Sequence, residues 1–317
     1  MRTKSTKYAE FNNKIINHLI LFLLLFISNI AAQCFAPNPQ NPRELIPVAC
    51  NLVKNEPQEN LKFKDSTSNN SSSSNNMFDI TLNCTVSTDL CSKVQKAFDT
   101  AGSIISSYLL LNTRIVLSAS FESFCDLYSS CSENGILGFA SPARWILMED
   151  DDNIQRLYPQ SLVKQFELST HPEYSKNDII ASFNSDVSYW FAEDSTPINE
   201  TQFDFLYVML HELHHGLGFS SAWDEYFTGY VTPLLANDPI KEIDAEDDLV
   251  YNNTSYSSFK FYECAFDKYV ILMENGQKAS EITEKLNTYF TENNNANKKK
   301  NFEISFPTCL CCPIILA

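Results

Sequence analysis

The order of elements in this 317-residue chain predicts an α+β fold: one long amphipathic helix, a run of short strands, then a second helix, with no internal repeat. Three observations carry that expectation. Between Asp89 and Leu111, the residues Leu90, Val94, Ala97, Phe98, Ala101, Ile104, Ile105 and Tyr108 recur at helical spacing. From Thr113 to Phe191, short apolar or alternating runs are cut by glycine, proline and acidic turns. From Ile198 to Phe219 the helical spacing returns and closes on two glycines.

The chain opens with several basic residues, followed by the twelve-residue apolar run Leu19 to Ile30 and the small pair Ala31 and Ala32. That order predicts a secretory signal peptide over residues 1–32, because the apolar run is shorter than the roughly 18 residues a spanning helix needs. No later run is long and apolar enough to span a bilayer, so no membrane association is expected after cleavage. All ten cysteines lie beyond the leader, and an even count in a secreted chain reads as disulfides. Cys34 with Cys50, Cys84 with Cys91, and Cys125 with Cys131 are the expected pairs. A metal reading of Cys309–Cys312 is disfavoured because no second ligand pair stands at a zinc-ribbon spacing. Sequons at Asn69, Asn70, Asn83, Asn199, Asn252 and Asn253 predict a glycoprotein with those positions at the surface. A formal net charge of −16 excludes nucleic acid as the principal partner, which would require clustered Lys and Arg.

Residues 33–76 are rich in Pro, Ser and Asn and are expected as a linker, which starts the folded domain near Met77. After the first helix, strands are predicted in "TRIVLSASFESF", "NGILGFASPA", "RWILME" and the stretch from Asp178 to Phe191, with "EDDDN" as a solvated turn. The second helix is expected to be capped by Asn199, to bury a stripe of Phe203, Leu206, Leu210, Leu213 and Leu217, and to end at Gly216 and Gly218. The domain is expected to run to residue 275, followed by a polar, cysteine-containing tail over 276–317 that reads as a shortened terminus.

The second helix carries three of the five histidines in "HELHH". Residues four apart on a helix stand one above the other, so His211 and His215 present imidazoles to one point. Two such nitrogens can hold one Zn²⁺ at roughly 2.0–2.1 Å each. Glu212, next to the first of them, is placed to take a proton from a metal-activated water as general base. His214 would lose that register and is expected beside the site or towards substrate.

"HELHHGLGFSSAW" resembles the active helix and exit of zincin metallopeptidases, and "HExxHxLGFS" is most similar to the leishmanolysin-like branch of the metzincins. "GILGFASP" and "IIASFNSD" resemble the strands that precede that helix in such domains. The resemblance spans about residues 90–225. It implies a zincin-like mixed sheet with a backing helix and an active-site helix, zinc on His211 and His215, Glu212 as base, Gly218 at the turn, and a protein or peptide substrate lying along the sheet edge. The sequence departs from the compact metzincin motif at Ser221, where a third histidine would stand, and no histidine follows His215. A carboxylate is therefore expected as third ligand, Asp267 first and then Glu263; Asp224 and Glu225 follow the helix too soon for the geometry. Alternatively, a shortened terminus has removed that ligand. The rival expectation is a secreted, non-catalytic binding protein on a zincin scaffold with an incomplete zinc site.

Overall fold

The computed structural model describes residues 33–39, 41–54, 76–128, 136–223, 234–235, 259–273 and 275–293. The expected leader, most of the Ser/Asn stretch, Asp224, Glu225, Cys131 and Cys309–Cys312 lie outside the described residues, as do the sequons at Asn69, Asn70, Asn252 and Asn253. Asn83 and Asn199 are exposed.

The chain is α+β. Its first core is a four-stranded mixed sheet in the order β4 (Phe78–Cys84), β5 (Ile115–Glu122), β10 (Ile179–Asn184), β6 (Gly138–Pro142). The first three strands run parallel and β6 runs antiparallel at the edge. In β5 the residues Ile115, Leu117, Ala119 and Phe121 are buried while the intervening residues are half-buried, as the two-residue side-chain period dictates. Helix α1 (Thr88–Tyr108) lays Val94, Phe98, Ala101 and Ile105 against that face, and helix α2 (Phe205–Gly216) joins the same cluster. Phe205 is the keystone, with its ring 5.5 Å from those of Phe121 and Phe183 and 4.9 Å from Tyr189. Full burial of a side chain of this size contributes about 1.5–3 kcal/mol. The opposite face is more polar, as Ser120 donating to Ser182 at 3.0 Å illustrates.

A second, five-stranded sheet has the order Glu263–Cys264, β8 (Gln155–Pro159), β7 (Trp145–Glu149), β1 (Cys34–Asn38), β2 (Asn41–Val48). The linker expected over residues 33–76 is therefore corrected at its N-terminal part. β1 pairs with β7, β2 closes the sheet, and β3 (Leu52–Lys54) pairs with β9 (Thr170–Pro172). The prolines that argued for a linker are compatible with strands here, since Pro42 and Pro47 lie on a terminal strand that, among the described residues, has a neighbour on one side only. Two expected disulfides are present, Cys34–Cys50 and Cys84–Cys91, with S–S distances of 2.05 and 2.10 Å.

The acidic stretch after β7 is the largely exposed turn its composition predicts, and ion pairs tie it down. Asp150 and Asp152 accept from the buried guanidinium of Arg156 at 3.0 and 2.8 Å, and Lys268 reaches Asp150 at 2.8 Å. The Asp150 carboxyl loses solvation on burial, yet hydrogen bonds from Lys268, Tyr158 and the Asp151 N–H outweigh this and hold it well below the usual carboxylate range. Arg156 also binds the fully buried Glu263 at 3.0 Å, which ties β8 to the strand at 263–264 and, through Ser280, to helix α3 (Ala279–Asn293). That last helix lies wholly within the segment 276–317 expected as a polar tail, which corrects that expectation over 279–293; Ile282 and Leu286 bury against Trp223 and Phe261.

Candidate metal centre

Helix α2 starts later than its composition suggests. Asp204, and not Asn199, is the N-cap, its carboxylate accepting from the Tyr207 N–H at 3.1 Å. Asn199 instead accepts from Thr201 N–H and Oγ1–H at 2.9 and 2.7 Å, closing a local turn. The buried stripe is Phe205, Val208, Met209, Leu213 and Gly216, rotated from the expected one, of which Leu213 alone is buried; Phe203 is 46% exposed. Gly216 sits where the helix crosses β10, and a Cβ there would lie 2.4 Å from Ile179 Cγ2. Its role is close approach, while termination belongs to Gly218.

The exit is a Schellman turn. Phe219 N–H donates to His214 O at 3.0 Å, Gly218 N–H donates to His215 O at 3.0 Å, and Gly218 takes φ +102°, which only glycine adopts without strain. Phe219 is thereby folded back so that its carbonyl accepts from His215 Nδ1 at 2.9 Å. With the proton held at Nδ1, the Nε2 lone pair of His215 is free to bind a cation, the tautomer control typical of metal-ligating histidines.

His211 and His215 converge as the four-residue spacing predicts. Their Nε2 atoms are 3.1 Å apart and their rings cross at 87°. Two bonds of roughly 2.0–2.1 Å to a shared ion, opened by about 100°, span that separation, which is near the tetrahedral preference of Zn²⁺. Burial lowers the pKa of His211, and His215 and His214 add to the effect, favouring the neutral form a metal needs.

The Glu212 carboxylate accepts the backbone N–H of Ala140 on the edge strand β6, and burial pushes its pKa up to about 7 against that stabilising contact. A carboxyl poised near neutrality suits a group that takes and returns a proton. His214 turns from the pair: its Nδ1 faces Leu210 O, and its Nε2 accepts from Tyr108 at the end of α1 at 2.7 Å.

Asp267 is not brought to the imidazole pair, and this expectation is corrected. Among the described residues, no third histidine, cysteine, aspartate or glutamate places a ligand atom beside both Nε2 atoms. Asp267 is fully buried, and both of its oxygens are already committed: Oδ1 accepts from Ser221 Oγ, and Oδ2 from the N–H groups of Ala222 at 3.0 Å and Cys264 at 2.8 Å. Three donors inside the protein are what a buried carboxylate requires, and they leave it as a structural acceptor. Glu263 is likewise committed, to Arg156, Ser280 and Thr283. The three consecutive carboxylates Asp150, Asp151 and Asp152 are held together by Arg156 and Lys268. Sequence reasoning missed the Phe219 carbonyl and Tyr108 as partners of the histidines; Gly218, three residues after the last histidine, was the available signal for the first, and nothing local signalled the second.

A family model described as SPBPB7E8-like matches residues 34–306. The uncharacterized protein PB7E8.01 of Schizosaccharomyces pombe (strain 972 / ATCC 24843) is 33% identical over 208 residues, which is 62% of this chain and 36% of the relative. This chain therefore spans about a third of the length of that relative. No solved structure matches. With the match beginning at the first residue of β1 and running through α3, the chain belongs to the SPBPB7E8-like family.

Proposed function

We propose that the chain is a secreted zinc-dependent metalloendopeptidase built on a zincin-like arrangement, in which His211 and His215 hold the metal and Glu212 serves as general base. The observation that carries this reading is the convergence of the two Nε2 atoms to 3.1 Å, with the His215 tautomer fixed by Phe219. Zn²⁺, when bound, supplies Lewis acidity and makes a water acidic enough to deprotonate near neutral pH. Glu212, its carboxylate held by the Ala140 N–H, would serve as the acceptor for that proton and as its donor to the leaving amine. The edge strand β6, packed beside α2 and running antiparallel to β10, offers a template on which an extended peptide adds as a further strand. Secretion is supported by the two disulfides and the leader-like N-terminus, and among the described residues no helix is long and apolar enough to cross a membrane.

Glu212→Gln tests the mechanism. The amide oxygen can still accept from Ala140, so the fold and metal content should persist while hydrolysis of a denatured protein substrate falls by about 10²–10⁴-fold, the usual contribution of a general base. Undiminished hydrolysis would remove the assignment.

A second reading, a non-catalytic secreted binding protein on the same scaffold, is favoured by one observation: the described residues supply two ligands and no third. Equimolar zinc together with chelator-sensitive proteolysis supports the enzyme, and the absence of both supports the binding protein.

A further inference from the structure

We infer that Asp267 is a positioning residue for the metal pair, acting through the loop that follows α2; this rests on the zinc reading of His211 and His215. The chain of contacts is continuous. Asp267 receives Ser221 Oγ–H and Ala222 N–H, which fixes residues 221–222 against the turn at 264–269. At the other end of the same short loop, Gly218 is seated against Pro159, so closely that a Cβ would lie 2.5 Å from its Cγ. Between these two anchors stand Phe219, whose carbonyl orients His215 Nδ1, and Ser220, whose Oγ lies 3.3 Å from the same nitrogen. The loop cannot turn its carbonyl away without breaking either the Schellman turn or the Asp267 contacts. His215 thus receives its tautomer and ring orientation from a carboxylate 52 positions downstream. Orienting partners of this kind typically set metal affinity within a range of about 10–100-fold.

Binding of Co²⁺ to the metal-stripped full chain, followed by its d–d absorption and by calorimetry, tests this against both a ligand role and a purely structural one. Asp267→Asn keeps an oxygen for the Ala222 and Cys264 N–H groups and an amide for Ser221 Oγ. It should bind Co²⁺ within a few-fold of wild type with an unchanged spectrum. Asp267→Ala should weaken binding about 10–100-fold and alter the spectrum. Ser221→Ala, a milder cut of the same tether, should fall near the lower end of that range, which keeps the inference testable if Asp267→Ala does not fold. Loss of binding in Asp267→Asn equal to that in His211→Ala would make Asp267 a ligand and overturn the inference. Wild-type affinity in folded Asp267→Ala and in Ser221→Ala would overturn it in favour of a purely structural carboxylate. A wild-type chain that binds no Co²⁺ would remove the zinc reading itself, and with it this inference. Wild-type binding abolished in His211→Ala separates that case from the other two.

Discussion

Replacing Arg156 with methionine should destabilise the protein by several kcal/mol, and the structure indicates where the loss arises. The guanidinium is fully buried and is bound by Glu263 at 3.0 Å, Asp150 at 3.0 Å, Asp152 at 2.8 Å and Ser280 at 3.0 Å. Methionine fills much of the same volume, so the packing loss is small and the electrostatic loss dominates. Asp150 keeps Lys268 and the Tyr158 hydroxyl, and Asp152 is 37% exposed, so both have somewhere to turn. Glu263 does not: its side chain is fully buried, and only the hydroxyls of Ser280 and Thr283 remain. Breaking a buried pair from one side costs about 3–5 kcal/mol because the orphaned charge stays inside. For a folded unit of this size that corresponds to a fall in Tm of about 6–20 °C. Differential scanning calorimetry and urea unfolding at neutral pH measure it. The double variant Arg156→Met/Glu263→Gln should be more stable than Arg156→Met alone, since it removes the orphaned charge. A single-variant loss below about 1 kcal/mol, or additive losses in the double variant, would refute the claim that Glu263 depends on Arg156.

The same network should make the protein acid-sensitive. Asp150 and Asp152 are both held below their ordinary values, so their stabilisation is complete above the unfolded-state value of about 3.9 and is lost as pH falls through and beyond it. Tm measured downward from pH 5 should drop through that window, less steeply in Arg156→Met; equal slopes would count against the network. Gly218→Ala places a Cβ 2.5 Å from Pro159 in a left-handed backbone, so it should cost at least about 1–2 kcal/mol and weaken metal binding, whereas an unchanged unfolding curve would show the turn to be slack. Cys34→Ser/Cys50→Ser opens a link of sequence separation 16 and should cost about 3 kcal/mol, read from oxidised and reduced unfolding curves; coincident curves would mean that β1 is held by its ladder alone.

Much of the candidate centre was legible in the chain because it is local. The pairing of His211 with His215 follows from the rise and turn of a helix, Gly218 as terminator follows from the need for a left-handed residue, and the Cys84–Cys91 link joins neighbours in sequence. Helix α1 and strands β5, β6, β7 and β10 were legible for the same reason, each announcing its own period. β1 and β2 were not, since their prolines read as linker until a neighbouring strand supplies hydrogen bonds.

The sequence alone thus determined that two imidazoles and a carboxylate share one helix, and where that helix ends, because those features depend on residues within a turn or two of one another. Tertiary structure decided which face of α2 is buried, that Tyr108 takes His214, that Glu212 reaches Ala140, and that Asp267 grips Ser221 and Ala222 without approaching the histidines. Those partners lie tens of residues apart, and local propensity holds no information about which buried donor a distant carboxylate will meet; packing of the two sheets and the need to satisfy every buried charge select the pairing.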